Sequence, residues 1–229
     1  MVWLKLLVGF LNTIKIFNKN KSMSEYSLKI KNFIFEQIKD FDKPKILEFG
    51  VKEGRSTKLF LDVCNSNNGE LISIDIRDYS KLFDNPKWKF IQSRDDNFDF
   101  LNNKLPQQID IIYLDSLHEA NHVEKIFNYY YKFLKIGGHF YIDDISWLPY
   151  LKNKERNNFY CEINNKETFE KLLSIYNNNI ENFDIDFSFI SSGICRIVKK
   201  EDKLNKGFPI KTRQNSIKNL LRIISKKLK

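Results

Sequence analysis

Four short stretches of this sequence carry side chains able to do chemistry together. They are Glu48-Phe-Gly50-Val-Lys-Glu-Gly54-Arg-Ser56-Thr57, the acid Asp75 closing an apolar run, Asp115-Ser-Leu-His118-Glu119, and the pair Asp143-Asp144. Glycines at a turn let the backbone approach a ligand closely, and the amides that open the next helix can hold a carboxylate or phosphate. Asp75, 25 residues after Gly50, can accept hydrogen bonds from both hydroxyls of a ribose. Asp115, Asp143 and Asp144 would repel one another if brought together, and such a cluster holds its protons unless a cation compensates. All-oxygen ligation with water in the remaining positions suits Mg²⁺ or a similar hard divalent ion. His118, three residues past Asp115, is a candidate general base. Ser116-x-x-Glu119 reads as a capping box that would put His118 in the first turn of a helix, where the positive helix end disfavours imidazolium while nearby carboxylates favour it.

The elements around these residues alternate. Ser24 can cap a helix carrying Tyr26, Leu28, Ile30, Phe33, Ile34 and Ile38 and ending near Asp40. The pattern then predicts strands at Lys45–Phe49, Glu70–Asp75, Trp88–Gln92, Ile109–Asp115 and His139–Asp143, with helices at Ser56–Asn65 and from Glu119 to Lys135. The continuous apolar run at 109–115 is of the kind buried on both faces of a parallel sheet. After a helix at Lys166–Tyr176, the runs Phe183–Ile190 and Ile194–Val198 flank Ser191-Ser192-Gly193, which predicts a hairpin on the sheet edge. The fold class is therefore α/β, Rossmann-like and doubly wound, a mostly parallel seven-stranded sheet with an antiparallel edge hairpin. In such sheets ligands sit beyond the carboxyl ends of the strands, and each of the four stretches falls at such an end.

Gly50 and Gly54 are spaced Gly-x-x-x-Gly after an acid, unlike the Gly-x-Gly-x-x-Gly of dinucleotide sites, which favours S-adenosylmethionine (SAM) over NAD. Over about residues 45–199 the chain resembles the class I SAM-dependent methyltransferases. That resemblance implies that Glu48, Gly50 and Gly54 lie against the amino-acid part of SAM with Ser56 nearby, that Asp75 takes the ribose, and that Ser93 and Asp115 also border the cofactor. Where the family usually has Gly-Asp after strand three, this chain has Ser93-Arg94-Asp95-Asp96. The Asp-x-x-His at 115–118 and the acidic pair at 143–144 resemble the metal-dependent O-methyltransferases of the macrocin and mycinose type, which act on sugar hydroxyls. By that likeness Asp115, Asp143 and Asp144 are metal ligands and His118 is the base. His122 and His139 read as structural or exposed. Trp147 and Tyr150 could wall an acceptor pocket or belong to the core.

Charge divides the chain further. The net charge is +9, yet residues 203–229 hold nine Lys or Arg and no acid, and residues 1–22 hold four Lys and no acid, so the centre is mildly acidic. We expect three regions: an apolar, basic segment 1–22, a cofactor-binding domain 23–200 and a basic amphipathic tail 201–229. In the tail Ile217, Leu220, Leu221, Ile224 and Leu228 share one helical face, opposite Lys218, Arg222, Lys226 and Lys229. With Trp3, Phe10 and Phe17 at the other end, the partner this fits is an anionic membrane surface; the alternative is a tail that is merely solvated. Nucleic acid fits less well, because the apolar face would be wasted on phosphates and no Asn-Pro-Pro-Tyr-type motif is present. Residues 1–17 are too short and too interrupted by Lys5 and Lys15 for a span or a leader. Cys64, Cys161 and Cys195 suggest neither a disulfide framework nor a zinc site, in keeping with the cytoplasm.

The function expected is SAM-dependent O-methylation of a hydroxyl, on a sugar or glycan before a catechol-like phenol, with a homo-oligomer left open. The alternatives are a metal-independent SAM methyltransferase, a non-catalytic membrane-surface module that keeps the fold, and an NAD-dependent oxidoreductase.

Overall fold

The computed structural model describes residues 24–148, 150–151, 154–155, 159–210 and 216–227, with no side chains described over 149–160. The expectations for residues 1–22, Trp3, Phe10 and Phe17 among them, and for the side chain of Tyr150, lie outside the described residues.

The first helix, α1, is α-helical over Glu25–Lys29, π-helical over Ile30–Phe35 and α-helical again over Glu36–Ile38. Ser24 caps it as its sequence suggests, its hydroxyl accepting the Ser27 N–H at 3.1 Å. There follow β1 (Lys45–Phe49), α2 (Arg55–Asn67), β2 (Glu70–Asp75), β3 (Trp88–Gln92), α3 (Phe98–Asn102), β4 (Ile109–Leu114), α4 (Ala120–Tyr130) and β5 (Leu134–Asp143). Beyond them lie the two-residue strands β6 (Tyr150–Leu151) and β7 (Lys154–Glu155), α5 (Phe159–Tyr176), β8 (Phe183–Ser188), β9 (Ile194–Lys199) and α6 (Ile217–Lys227). The large sheet runs β3-β2-β1-β4-β5-β9-β8, its first five strands parallel and β9 antiparallel to both neighbours. This is the seven-stranded sheet with an antiparallel hairpin that the sequence pattern predicts.

The core is split between the two faces by the strand period of two. Leu47, Phe49, Ile112, Leu114, Phe140 and Ile142 pack on the face covered by α4 and α5. Ile46, Ile111, Tyr113 and Tyr141 pack on the other, against Ile30, Ile34 and Ile38 of α1 and Phe60, Leu61 and Val63 of α2. All six residues of β4 are buried, as a central parallel strand requires.

One expectation is corrected here. The helix starting near Glu119 does not reach Lys135: α4 ends at Tyr130, a 3₁₀ turn covers Tyr131–Phe133, and β5 starts at Leu134, earlier than His139. Tertiary contacts outweigh the helical pattern, since Leu134 pairs with Ile109 and the Tyr131 hydroxyl lies within hydrogen-bonding distance of the carbonyls of Asn182 and Glu201.

Candidate functional site

Strand order reverses between β1 and β4, and the chemistry-bearing residues gather there. Gly50 ends β1 with φ +92°, and a Cβ at this position would lie 2.0 Å from the Asp115 carbonyl oxygen. No other residue type fits, because the loop after β1 touches the backbone that leaves β4. That contact is held by hydrogen bonds from Gly50 N–H to Ile74 O and from Asp115 N–H to Phe49 O, both 2.9 Å.

Asp75 is fixed by backbone donors. Val51 N–H gives to Oδ2 at 2.8 Å and Arg77 N–H to Oδ1 at 2.9 Å. Its carboxylate borders a cavity of about 440 Å³ that Gly50, Tyr79, Ser93, Asp115 and His122 also line, a size in the range of small-ligand sites. Asp95, which also lines this cavity, is largely buried, and its Oδ2 takes the Ser116 hydroxyl at 2.5 Å and contacts His122 Nε2 at 2.8 Å. A carboxylate only accepts, so the proton of His122 sits on Nε2. Tyr130 ties the same segment down by donating to the Asp95 carbonyl at 2.8 Å.

Next to the cavity lies the acidic cluster. Among the described residues Asp115, His118 and Asp144 each offer a ligand atom, all within 4.8 Å of one another. His118 Nε2 is 3.4 Å from Asp115 Oδ1 and 3.3 Å from Asp144 Oδ2. Asp144 adopts φ +59°, a left-handed conformation that Asp tolerates better than most side chains, and its N–H donates to Gly193 O at 3.1 Å. Withdrawal from water, then the charges of Asp143 and Asp144, push the Asp115 carboxyl well above the usual carboxylate range. A cation among these oxygens would relieve that cost, and two hard carboxylates with an imidazole beside them suit a divalent ion.

The other acid of the pair faces inward. Asp143 is 2% exposed and ion-paired with Lys29 of α1. Its second oxygen accepts the Tyr113 hydroxyl at 2.6 Å, and its first also accepts the Asp144 N–H at 2.8 Å.

The structure thus brings Gly50, Asp75, Ser93 and Asp115 to one cavity and Asp115, His118 and Asp144 to one cluster, while Asp143 and three further sequence candidates lie elsewhere. Glu48 is fully buried and turned under α2, where Ser56, Thr57 and Ser73 donate their hydroxyls to it at 2.6, 2.8 and 2.6 Å. Burial pushes its carboxyl up to about 7, against the pull of those hydroxyls. Ser56 is occupied by that contact, and Gly54 (φ +70°) opens α2 against Leu82 and Phe83. The capping-box reading is corrected: α4 begins at Ala120, its N-cap Glu119 makes no side-chain cap, and Ser116 spends its hydroxyl on Asp95. His118 therefore stands in the loop before the helix. His122, read from sequence as structural or exposed, lines the cavity. His139 is buried beside Tyr141, and burial lowers it to about 4. Trp147 packs among Phe169 and Phe189, centroids 4.7 and 5.5 Å away.

Comparison with known proteins agrees with this geometry. Residues 47–145 match the family profile described as a methyltransferase domain. No curated protein matches the chain. Among solved structures, MycE methyltransferase from the mycinamycin biosynthetic pathway, in complex with Mg and SAH, superposes with a TM-score of 0.58 at 18% identity over 82% of this chain. The match spans 55% of MycE, so this chain corresponds to little more than half of that protein. A caffeoyl-CoA O-methyltransferase homologue from Staphylococcus aureus gives 0.54 at 16% identity, covering 84% of this chain and 91% of that one. An SAH-bound methyltransferase of Podospora anserina gives 0.52 at 15% identity, covering 69% and 72%. The fold is the Rossmann-like methyltransferase fold, and the resemblance to class I methyltransferases rests on a matched domain as well as on motifs.

Proposed function

We propose that this chain is a SAM-dependent O-methyltransferase that binds its cofactor in the cavity between Gly50, Asp75, Ser93 and His122 and works on a sugar or glycan hydroxyl beside the acidic cluster. The observation that carries this reading is the shared position of Asp115, which borders the cavity and belongs to the cluster. A methyl donor in one and a hydroxyl over the other would meet at that residue. MycE is described with Mg and SAH, and with mycinamycin VI, which supports the same pairing of ligands here.

In this reading Asp75, already held by the amides of Val51 and Arg77, orients the ribose. Asp115 and Asp144 would hold a divalent cation, which when bound lowers the pKa of an acceptor hydroxyl and fixes its position. His118, between the two carboxylates, takes the proton the hydroxyl loses as its oxygen attacks the methyl carbon. The carboxylates on either side stabilise the imidazolium that results. Trp147, Phe169 and Phe189, beyond the acidic pair, offer an apolar wall for the ring of an acceptor.

Calorimetric titration with S-adenosylhomocysteine, with and without Mg²⁺, tests the reading. Binding that falls by about 10- to 100-fold in Asp75→Ala is expected from the loss of charged hydrogen bonds. No binding to the wild type under either condition would remove the methyltransferase reading and favour a non-catalytic module.

A second feature bears on where the acceptor lies. Ile217, Leu220, Leu221, Ile223 and Ile224 of α6 are all exposed, and the helix carries Lys218, Arg222 and Lys226 but no acid. Among the described residues no helix is long and apolar enough to cross a membrane. We propose that α6 lies on an anionic bilayer surface, at the cytoplasmic face, where lipid-linked or surface glycans are within reach. Deleting residues 203–229 should abolish co-sedimentation with phosphatidylglycerol vesicles; undiminished binding would refute this.

A further inference from the structure

Lys29 is an unusual residue to find where it is. It follows Leu28 and precedes Ile30 on the face of α1 that packs on the sheet, and its side chain is 0% exposed. A buried ammonium is costly unless every proton finds a partner. Here the partners are Asp143 Oδ1, the Ser192 hydroxyl at 2.9 Å in the β8–β9 turn, and the face of Tyr26, its centroid 5.2 Å away. The π-helical stretch of α1 begins at the next residue, and such turns recur at functional sites.

Both oxygens of Asp143 are engaged as well. One oxygen takes the Lys29 ammonium and the Asp144 N–H, and the other takes the Tyr113 hydroxyl. A metal ligand needs a lone pair directed at the ion, and three of the roughly four acceptor sites of Asp143 are directed at α1, Tyr113 and its own chain. Asp144, next in sequence, turns the other way through its left-handed backbone and faces His118. Adjacent acids thus do different work.

Resting on the reading of a divalent cation at this cluster, we propose that Lys29 is a fixed internal counter-ion that removes Asp143 from the ligand set and leaves Asp115 and Asp144 as the liganding carboxylates. Lys29 is a positioning residue, acting through Asp143. Three carboxylates and one ammonium leave two negative charges, which a divalent ion matches. With two carboxylates instead of three, more coordination positions remain for oxygens of the acceptor. The resemblance to metal-dependent relatives assigns Asp143 to the ion; the contacts of this chain assign it to a helix outside the matched domain.

The experiment measures Mn²⁺ affinity, with free Mn²⁺ counted by electron paramagnetic resonance, in the full chain and in Lys29→Gln, Asp143→Asn and the double variant. Lys29→Gln frees a third carboxylate and is expected to bind Mn²⁺ on the order of tenfold more tightly. Asp143→Asn leaves the Lys29 ammonium uncompensated beside the cluster and should bind Mn²⁺ more weakly, whereas the double variant, which removes both buried charges and keeps the two negative charges of Asp115 and Asp144, should stay close to the wild type. Lys29→Gln binding no more tightly than wild type would overturn the proposal. So would a loss of tenfold or more in the double variant, which leaves no unpaired buried charge and carries the test by itself should Lys29→Gln fail to fold. Mn²⁺ binding that is absent in wild type but present in Lys29→Gln would remove the metal from the native mechanism while upholding Lys29 as the counter-ion. Absence from every variant would overturn both.

Discussion

Replacing Glu48 by Gln should make the protein more stable in mild alkali and leave it nearly unchanged in mild acid. The carboxyl is raised from its ordinary 4.5 to about 7 by burial. Between those values the folded chain keeps a proton that the unfolded chain has released, so stability falls as pH rises through that window and stays lowered above it. At about 1.4 kcal/mol for each tenfold change in acidity, ionising this buried group costs about 3 kcal/mol. Gln mimics the protonated acid. Its amide oxygen still accepts from Thr57 and Ser73, which share one oxygen of Glu48, and its amide N–H₂ can donate to Ser56, which bonds the other. Urea unfolding followed by circular dichroism, run on both proteins at about pH 5 and about pH 8.5, isolates this residue because all other titrating groups are common to the pair. The stability difference should widen by about 2–3 kcal/mol from the lower to the higher pH. A difference independent of pH, or one that shrinks toward alkali, would refute the argument that Glu48 is an internal strut whose charge is a burden.

Three further outcomes follow from the same geometry. Gly50→Ala should cost more stability in thermal melts than Gly54→Ala, since both positions are left-handed but a Cβ at Gly50 strikes the Asp115 backbone and one at Gly54 strikes movable side chains of Leu82 and Phe83. Equal costs would mean that the loop relaxes. His122→Ala leaves Asp95 buried with one partner fewer and should lower the unfolding free energy by about 1–3 kcal/mol; an unchanged urea midpoint would show that the pair does not stabilise the fold. Asp144→Asn should lose the Mg²⁺-dependent part of S-adenosylhomocysteine affinity in calorimetry and keep the Mg²⁺-independent part, whereas a variant indistinguishable from wild type would take Asp144 out of the cation site.

The strand order was legible because alternation of apolar runs with helical periods leaves few topologies for a chain this size, and an acid or glycine at each strand end marks the reversal point. Gly50 could be read because a left-handed turn against another backbone leaves a mark on residue type. For Glu48 the period of two fixes which face it takes, while only the three hydroxyls around it show that this face is closed. Ser116 carried a capping signature, but the helix opens later, at Ala120, and the Ser116 hydroxyl donates to Asp95 instead. His122 and Asp95, which both line the cavity, gave no signal because the pairing joins α4 to the loop after β3. Lys29 gave no signal, since its partner is 114 positions away.

Asp115 stands at the boundary of two sites, and that has a thermodynamic consequence. Ligands that share one carboxylate cannot have independent affinities: whatever factor the cation contributes to the hold on the cavity's ligand, that ligand returns to the hold on the cation. The ionisation that Asp115 resists by itself becomes easier with a positive charge on either side of it. A sulfonium in the cavity and a divalent ion in the cluster would each prepare Asp115 for the other, whereas the neutral thioether left after methyl transfer would not.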